Sequence, residues 1–276
     1  MVPVESYYDR MYLKEARRLR RDPYHQLEFI ITMHHLKKFL PKKGYVLDLG
    51  CGPGVYAVEL AKLGYDVALV DVSSKLLNVA ERRIKKAKLQ DRLKTKIKAN
   101  ATDLSSFGAS TFDAILSFGP FYHLPELKDR KKALKEMVRV AKLGARVFVA
   151  CVSYFAVLGR VLTRHGHELT DPNHQEMFEE GIHRAKWHKD PNAFPDAYFS
   201  KPLELRDFLE SGGLRTIGLF ACEGPSTHLD EETNRLSKDK KAWEKWVELV
   251  LKCSGEPSIV GASEHFLWIG EKPQTG

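Results

Sequence analysis

The sequence predicts an α/β fold in which a mostly parallel sheet carries helices on both faces. Short apolar runs alternate with amphipathic helical patterns between residues 45 and 153, and this alternation is typical of parallel strands joined by helices. The runs are almost continuously apolar, which indicates strands that are covered on both faces. Seven strands are predicted, at residues 45–49, 66–72, 95–100, 112–118, 145–153, 214–224 and 262–273.

Capping and terminating residues mark where the helices begin and end. Pro41 stops the second of two N-terminal helices. Gly64 closes the helix that follows the first strand, and Ser73 or Ser74 can cap the basic helix that follows the second. Apart from this basic helix, the predicted helices span residues 4–20, 23–40, 55–64, 127–142, 202–213 and 232–254.

The alternation of strands and helices stops after residue 153. Residues 154–199 are rich in histidine and aromatic residues, and the segment is too long for a plain loop in a compact domain. We interpret it as a short helical insertion that forms a lid or a pocket wall. The chain is then a single domain, 1–276, with a helical cap at 1–40, a cofactor-binding core at 41–153, the insertion at 154–200 and a helix–strand completion at 201–276.

Composition narrows the class of protein. The 276 residues are 43% hydrophobic and 29% charged, with four scattered cysteines, so neither a disulfide framework nor a structural zinc site is indicated. No apolar run approaches the roughly 18 residues of a membrane span, and the charged N-terminus does not resemble a secretory signal. We expect a cytoplasmic protein, as a monomer or a homodimer, with no membrane partner.

A net charge of +8 raises the question of a nucleic-acid partner. Much of the excess comes from residues 81–98 and 127–142, which have the pattern of amphipathic helices with solvated outer faces. Stacking aromatic residues are not interleaved with the first run, as a single-strand binder would need. A small-molecule partner is therefore favoured over a nucleic acid.

A glycine loop follows the first strand and precedes a helix, at residues 48–54. Glycines allow the backbone to turn sharply and approach a ligand, and the helix N-terminus offers unpaired N–H groups to an anion. The spacing is G-x-G-x-G, with Val55 where a dinucleotide loop has its third glycine. Asp48 would repel a pyrophosphate but attract an ammonium group. The loop therefore favours a zwitterionic amino-acid tail, such as that of S-adenosylmethionine.

Asp71 ends the second strand. A carboxylate at this place in an α/β fold can accept hydrogen bonds from both hydroxyls of a ribose. Its alternative role is to cap the next helix, but Ser73 and Ser74 already offer that. We therefore predict that Asp71 binds the ribose.

Four motifs in order resemble those of the class I S-adenosylmethionine-dependent methyltransferases: VLDLGCGPG (46–54), VALVDVS (67–73), ANATDL (99–104) and FDAILSFGPFYHL (112–124). The resemblance implies a Rossmann-like seven-stranded sheet with an antiparallel last strand, and methyl transfer from S-adenosylmethionine, which leaves S-adenosylhomocysteine. It also implies that Asn100 binds the adenine amino group, with Asp103 as the rival. The implied cofactor-binding residues are Asp48, Gly50, Cys51, Gly52, Gly54, Asp71, Val72, Asn100, Ala101, Ser117, Phe118 and Gly119.

A narrower resemblance involves GPFYHL (119–124) and segments near both ends of the chain, including EARRLRRDPYHQLEFIITMHHL (15–36) and GASEHFLWIG (261–270). These segments resemble a subgroup of prokaryotic methyltransferases described as acting on small molecules. The subgroup implies a small-molecule acceptor without naming one.

The acceptor side of the site is less explicit in the sequence. His123 follows the fourth strand, at the edge where open α/β sheets bind ligands, and it is a candidate general base. It can equally shape its loop. Tyr122 is a candidate for orienting the substrate, and Tyr8, beside Tyr7, can close over the site or serve in helix packing.

Histidines of the insertion suggest further roles. His183 and Trp187 are spaced by one helical turn, and they can face a ligand or pack between helices. The histidines at 165, 167, 174, 183 and 188 lack a tight ligand spacing, so we predict no metal site. Cys151 and Cys222 are expected to be inert core residues.

Three other functions compete with the hypothesis of a small-molecule methyltransferase. An RNA or protein methyltransferase would use the basic surface, but enzymes that methylate amino groups of bases commonly have Asn/Asp-Pro-Pro-Tyr after the fourth strand, where this chain has Ser-Phe-Gly-Pro. A nucleotide-dependent oxidoreductase would need the third glycine that Val55 replaces. A binding protein without catalysis is the remaining alternative.

Overall fold

Strands of one large sheet form the centre of the computed structural model, which describes residues 3–188, 190 and 192–274. In chain order the strands are β1 (Tyr45–Leu49), β2 (Asp66–Asp71), β3 (Leu93–Lys98), β4 (Phe112–Ser117), β5 (Ala141–Val152), β6 (Ile182–His183), β7 (Ala197–Tyr198), β8 (Arg215–Ala221) and β9 (His265–Glu271). Seven of them form the large sheet, and β6 pairs with β7 apart from it.

The strand order of the large sheet is β3-β2-β1-β4-β5-β9-β8. Neighbours from β3 to β5 run parallel, and β9 lies between β5 and β8, antiparallel to both. This confirms the predicted fold class. Because parallel strands end at the same edge, the segments that follow β1, β2, β3 and β4 lie together.

Helices surround the sheet. They are α1 (Val4–Glu15), α2 (Pro23–Phe39), α3 (Val55–Lys62), α4 (Ser74–Lys86), α5 (Leu127–Val140), α6 (Tyr154–Arg164), α7 (Gln175–Glu180), α8 (Pro202–Ser211), α9 (Asp230–Leu236), α10 (Lys240–Cys253) and α11 (Pro257–Ala262). Ser73 caps α4 by accepting a hydrogen bond from the Leu76 N–H, as predicted.

The N-terminal helices differ from the sequence prediction at one end. The expected helix 4–20 stops at Glu15, and a 3-10 turn follows at Arg18–Arg20. From this turn the Arg18 guanidinium donates to the Glu28 carboxylate on α2. The second helix ends at Phe39, because Leu40 precedes Pro41 and is extended.

The predicted helix 232–254 is wrong as a single element. It is two helices, α9 and α10, separated by residues 237–239. Asp239 accepts hydrogen bonds from the N–H groups of Lys241 and Ala242 and so starts α10. The helix α11 was not predicted, and the last strand begins at His265 rather than at residue 262.

Both faces of the sheet are covered by apolar side chains. On one face, Leu47 and Leu49 pack with Leu134 and Met137 of α5 and Leu209 of α8. On the opposite face, Val46 and Val67 of the strands pack in one cluster with residues of α2, α3 and α4, among them Leu36, Leu60 and Ile84. Residues 46–49 of β1 are all buried, with neighbours packed against opposite faces, which explains why the run is apolar apart from Asp48.

The insertion leaves the sheet and returns to it at one place. Ser153 forms a bridge with Ser200, and the Ser200 N–H donates to the Val152 carbonyl. The segment between them contains α6, α7 and the β6–β7 pair, so it is not purely helical as predicted. Its small apolar core is formed by Val161, Met177, Ala197 and Phe199. Lys189 and Pro191 of this predicted insertion lie outside the described residues.

Among the described residues, no helix has both the length and the hydrophobicity needed to cross a membrane.

Candidate functional site

A pocket lies at the carboxyl ends of β1, β2 and β4. We call it the cofactor pocket. Eleven of the residues predicted for the site line it: Tyr8, Gly50, Gly52, Asp71, Val72, Asn100, Ala101, Phe118, Gly119, Tyr122 and His123. Others of its lining residues were not predicted, namely Val4, Glu15, Arg18, Leu49, Leu76, Ala99, Pro120 and Leu124.

The glycine loop has the backbone that glycine makes accessible. Gly50, Gly52 and Gly54 have φ values of 74°, 52° and 71°, in the left-handed region that other residues rarely adopt. A Cβ on Gly50 would lie 2.7 Å from Cδ of Pro120, and one on Gly54 would lie 2.6 Å from Cβ of Ala80. A Cβ on Gly52 would meet no described atom within 4 Å. Gly52 is therefore the glycine over which a ligand can lie.

Asp71 joins the loop to the next strand. Its carboxylate accepts hydrogen bonds from the N–H groups of Gly52 and Ser73, both at 2.8 Å. Burial raises the pKa of Asp71 to about 6, although these N–H groups oppose the rise. A carboxylate has about four acceptor sites, so Asp71 can still accept two hydroxyls from a ligand in the pocket. This geometry suits a ribose diol.

Asp48 lies in β1, behind the loop and 2% exposed. Burial, followed by the charge of Asp71, raises the pKa of Asp48 to about 7. Its Oδ2 atom has no hydrogen-bond partner within the described part of the chain. An unpartnered buried carboxylate oxygen fits a site that a cationic or hydroxyl donor completes.

The segment after β3 forms the opposite end of the pocket. Asn100, Ala101 and Val72 line this end. The Asn100 side-chain oxygen already accepts hydrogen bonds from the N–H and hydroxyl of Thr102. Asp103, the rival for the adenine contact, is exposed and accepts from the Ser105 N–H. Of the two, only Asn100 lies at the pocket.

Besides Asp48, three of the predicted cofactor-binding residues lie behind the pocket wall rather than on it. Cys51 and Gly54 are buried residues of the loop itself, and burial raises the pKa of the Cys51 thiol well above its usual range. Ser117 is fully buried at the end of β4, and its hydroxyl has no hydrogen-bond partner among the described residues. These positions shape the loop and the strand end.

Tyr8 and His123 meet at the inner end of the cofactor pocket. The Tyr8 hydroxyl lies 2.7 Å from Nε2 of His123, which ties α1 to the segment after β4. Burial lowers the pKa of His123 to about 4 and raises the pKa of Tyr8 well above its usual value. Both side chains are therefore neutral near pH 7. Tyr122 also lines the pocket, and burial raises its pKa too.

A second cavity, of about 530 Å³, opens beside the cofactor pocket. We call it the acceptor cavity. The two share Tyr8, Glu15, Arg18 and Tyr122 as lining residues. The insertion forms one wall of the acceptor cavity through apolar side chains, which are Val157, Val161, Met177, Phe194 and Phe199.

The opposite wall of the acceptor cavity is a network of paired charges. The Arg18 guanidinium donates to both carboxylate oxygens of Glu28. His265 Nδ1 donates to Glu223 at 2.7 Å. Burial alone would disfavour the imidazolium, but Glu28 and Glu223 outweigh it and raise the pKa of His265 to about 9.

Glu264 extends this network toward α2 and the insertion. It accepts a hydrogen bond from the Tyr24 hydroxyl at 2.6 Å and pairs with Arg160 on α6. Burial opposes ionisation of Glu264, but His265 and Arg160 lower its pKa to about 2. The sequence gives no signal for this network, because its members lie far apart in the chain.

His183 and Trp187 do not share a helix. His183 lies in β6 and Trp187 in a 3-10 turn, Ala185–Trp187, so the predicted helical spacing is wrong. Their rings contact edge to face, with centroids 5.9 Å apart. His183 lines the acceptor cavity and donates from Nε2 to the Phe194 carbonyl, whereas Trp187 lies outside the lining. Burial lowers the pKa of His183 to about 4.

Comparisons with known proteins agree with this arrangement. Residues 47–149 match the model of a methyltransferase domain. A ubiquinone biosynthesis O-methyltransferase of Coxiella burnetii is 25% identical over 191 residues, which are 68% of this chain and 71% of that protein. A demethylmenaquinone methyltransferase of Clavibacter sepedonicus is 34% identical over 125 residues, 45% of this chain and 46% of that protein.

Solved structures have the same fold. A SAM-dependent methyltransferase of Methanosarcina mazei superposes with a TM-score of 0.61 at 22% identity, over 87% of this chain and 97% of that one. A SAM-dependent methyltransferase of Aquifex aeolicus gives a TM-score of 0.52 at 18% identity, over 96% and 98%. The matched domain and the four motifs support the prediction of a class I S-adenosylmethionine-dependent methyltransferase, and the solved structures show the same fold.

Proposed function

We propose that this methyltransferase methylates a small molecule bound in the acceptor cavity. The observation that carries the proposal is the junction between the two cavities. Tyr8, Glu15, Arg18 and Tyr122 line both, so a donor in one and an acceptor in the other meet at these side chains. A volume of about 530 Å³ lies within the usual range of small-molecule pockets, roughly 300–1,000 Å³.

The residues of the cofactor pocket fit S-adenosylmethionine in parts. We assign the amino-acid tail to the loop at Gly50 and Gly52, with Asp48 behind it. We assign binding of the ribose to Asp71. The adenine lies between Val72 and the Asn100–Ala101 segment, as the resemblance implies. The unpartnered Oδ2 of Asp48 and the open face of Gly52 support this assignment.

When bound, S-adenosylmethionine supplies an electrophilic methyl group on a sulfonium. The protein then has to align the acceptor behind the methyl carbon and keep water away. Phe118 and Gly119 line the cofactor pocket, and Tyr122, in the same segment after β4, lines both cavities. We assign alignment to this segment and to Tyr8 on α1.

His123 and Tyr8 are the candidates for holding the acceptor's proton. With a pKa of about 4, the His123 imidazole is neutral at pH 7 and able to accept a hydrogen bond. Because burial makes an imidazolium costly, we assign His123 the role of orienting the acceptor's hydroxyl through Tyr8. His123 removes the acceptor's proton only as the methyl group transfers.

The walls of the acceptor cavity suggest an amphipathic acceptor. Its polar end would lie at the Arg18–Glu28 and His265–Glu223 ion pairs. In each pair the opposite charges neutralise one another, and the side chains can still form hydrogen bonds with a ligand. Its apolar part would lie against Val157, Met177 and Phe199. Two relatives are named for ubiquinone biosynthesis and for demethylmenaquinone, and both names support a small-molecule acceptor.

The test is a methyl-transfer screen with a labelled donor. The purified protein is incubated with a metabolite extract, total RNA or a protein extract, and the label is then separated by size. We expect label in low-mass products. Label only in RNA, with transfer that falls steeply as salt rises, or only in protein, would contradict the proposal. Label in none of these fractions, from protein that binds S-adenosylhomocysteine, would contradict it as well.

A further inference from the structure

Three ligand-type side chains of the insertion converge away from the cofactor pocket. Glu168 lies in the 3-10 turn Gly166–Thr170, His174 in the turn Pro172–His174, and His188 follows the turn Ala185–Trp187. One donor atom from each lies within 4.8 Å of the other two. Glu168 and His174 are buried, with exposures of 7% and 3%.

His174 is the unusual member of this group. Both of its ring nitrogens are buried, and neither forms a hydrogen bond with any described residue. The Oε2 atom of Glu168 lies 3.7 Å from Nε2 of His174, and the Oδ2 atom of Asp171 lies 3.5 Å from its Nδ1. The Nε2 atom of His188 is likewise buried and unpartnered among the described residues. An unsatisfied buried polar group costs roughly 1–3 kcal/mol, so the fold leaves two imidazoles in need of a partner.

We propose that Glu168, His174 and His188 bind a divalent transition metal ion of the Zn²⁺ class. Two imidazoles and a carboxylate are donors that this class of ion prefers. Asp171 is placed to hold the Nδ1 proton of His174, which orients Nε2 toward the ion, an arrangement common at metal-bound histidines. His165, whose Nδ1 lies 3.6 Å from Oε1 of Glu168, is available as a further donor. This assignment replaces the sequence prediction of no metal.

A second group of similar composition does not have this character. Glu28, Glu223 and His265 also lie within 4.8 Å of one another. Arg18 pairs with Glu28, however, and Glu223 accepts hydrogen bonds from Ser263 and His265. The imidazole of His265 is held protonated by these carboxylates, and a protonated ring cannot ligate a metal. The compensated network therefore has no need of an ion.

The proposed ion would tie together three turns of the insertion. That segment has a small apolar core of its own, so a metal crosslink would contribute a large part of its stability. Glu168, His165 and His188 line the acceptor cavity, so the ion would also fix part of that cavity's wall. The metal site does not depend on the proposed acceptor, and its test does not use methyl transfer.

The test is metal titration of the full-length protein after chelation. Co²⁺ is followed by its visible absorption and Zn²⁺ by calorimetry, for the wild type and for His174→Ala, His188→Ala and His167→Ala. His167 is exposed in the same turn as Glu168, so His167→Ala is the matched control. We expect one equivalent in the wild type and the control, and loss of binding in the other two. Asp171→Asn is expected to weaken binding roughly 10- to 100-fold.

Two readouts keep the test decisive if a variant folds poorly. Circular dichroism and titration with S-adenosylhomocysteine report the sheet core, while limited proteolysis reports the insertion. Zn²⁺ is expected to protect the insertion of the wild type from cleavage. Absence of stoichiometric binding in the wild type would overturn the proposal. So would binding that survives in a folded His174→Ala variant but disappears in His265→Asn.

Discussion

The cofactor pocket and the acceptor cavity are adjacent, but they are built in opposite ways. The pocket is formed by segments that follow consecutive strands, and its central hydrogen bonds join Gly52, Asp71 and Ser73 at the ends of β1 and β2. The cavity joins distant parts of the chain, as in the contacts of Tyr24 and Arg160 with Glu264. Sequence motifs therefore describe the pocket well and the cavity poorly.

The two regions also treat charge differently. Burial raises the pKa of Asp48 to about 7 and that of Asp71 to about 6, so the pocket without a ligand disfavours its own carboxylates. In the cavity, neighbouring charges lower the pKa of Glu264 to about 2 and raise that of His265 to about 9. The carboxylates of the cofactor pocket therefore need a ligand as their partner, whereas the charges in the wall of the acceptor cavity already neutralise one another.

Removing the Asp71 carboxylate should have the largest effect on cofactor binding. Hydrogen bonds to a charged group contribute roughly 1.5–3 kcal/mol each, so Asp71→Asn should weaken S-adenosylhomocysteine binding roughly 10- to 100-fold. In the wild type, affinity should fall as pH drops through about 6, where this carboxylate takes up a proton. Calorimetric titration across pH measures both effects. Asp103→Asn, on the exposed rival acid, should match the wild type.

Filling the acceptor cavity should block transfer without affecting the cofactor. Val157 lines the cavity from α6, and a tryptophan there would occupy volume that we assign to the acceptor. We expect Val157→Trp to lower transfer to small molecules at least tenfold while the affinity for S-adenosylhomocysteine stays within twofold. Leu162→Trp, on the same helix at a side chain 73% exposed, is the control and should retain activity. An equal loss of methyl transfer in both variants would show that a disturbed α6, and not a filled cavity, causes the loss.

Neutralising Asp48 should stabilise the protein while it weakens ligand binding. The folded-state pKa of Asp48 is raised from 3.8 to about 7, so its contribution to stability is fully present below pH 3.8 and lost as pH rises through 7. Asp48→Asn avoids this loss, and its Tm at pH 8 should be about 2–6 °C higher. The gain should vanish near pH 4. S-adenosylhomocysteine should bind this variant several-fold more weakly, because the amide no longer attracts the ammonium group of the ligand.

The pH dependence of His265 should have the smallest effect. Its folded-state pKa is raised from 6.5 to about 9, so its stabilising contribution is complete below 6.5 and lost as pH rises through 9. Urea unfolding at pH 7 and pH 10 should show a loss on the order of 1–3 kcal/mol in the wild type. His265→Gln should lose less over the same interval. An identical decline in both proteins would contradict the assigned ion pairs.

The cofactor pocket was more predictable from the sequence than the acceptor cavity. The loop at residues 48–54 and Asp71 were predictable because backbone conformation and strand ends are local properties. The sequence did not predict the break between α9 and α10, because Asp239 is equally compatible with an exposed position inside a helix and with an N-cap. His183 and Trp187 have a helical spacing but lie in a strand and a turn, since the pairing of β6 with β7 determines their positions. Nothing local relates Glu28 to His265.

The most direct test compares Asp71→Asn and Val157→Trp in a single set of titrations with S-adenosylhomocysteine. If the pocket binds the cofactor and the cavity binds the acceptor, Asp71→Asn loses affinity 10- to 100-fold and Val157→Trp binds like the wild type. If Val157→Trp weakens the product as much as Asp71→Asn does, the division of the site into two separate regions is wrong.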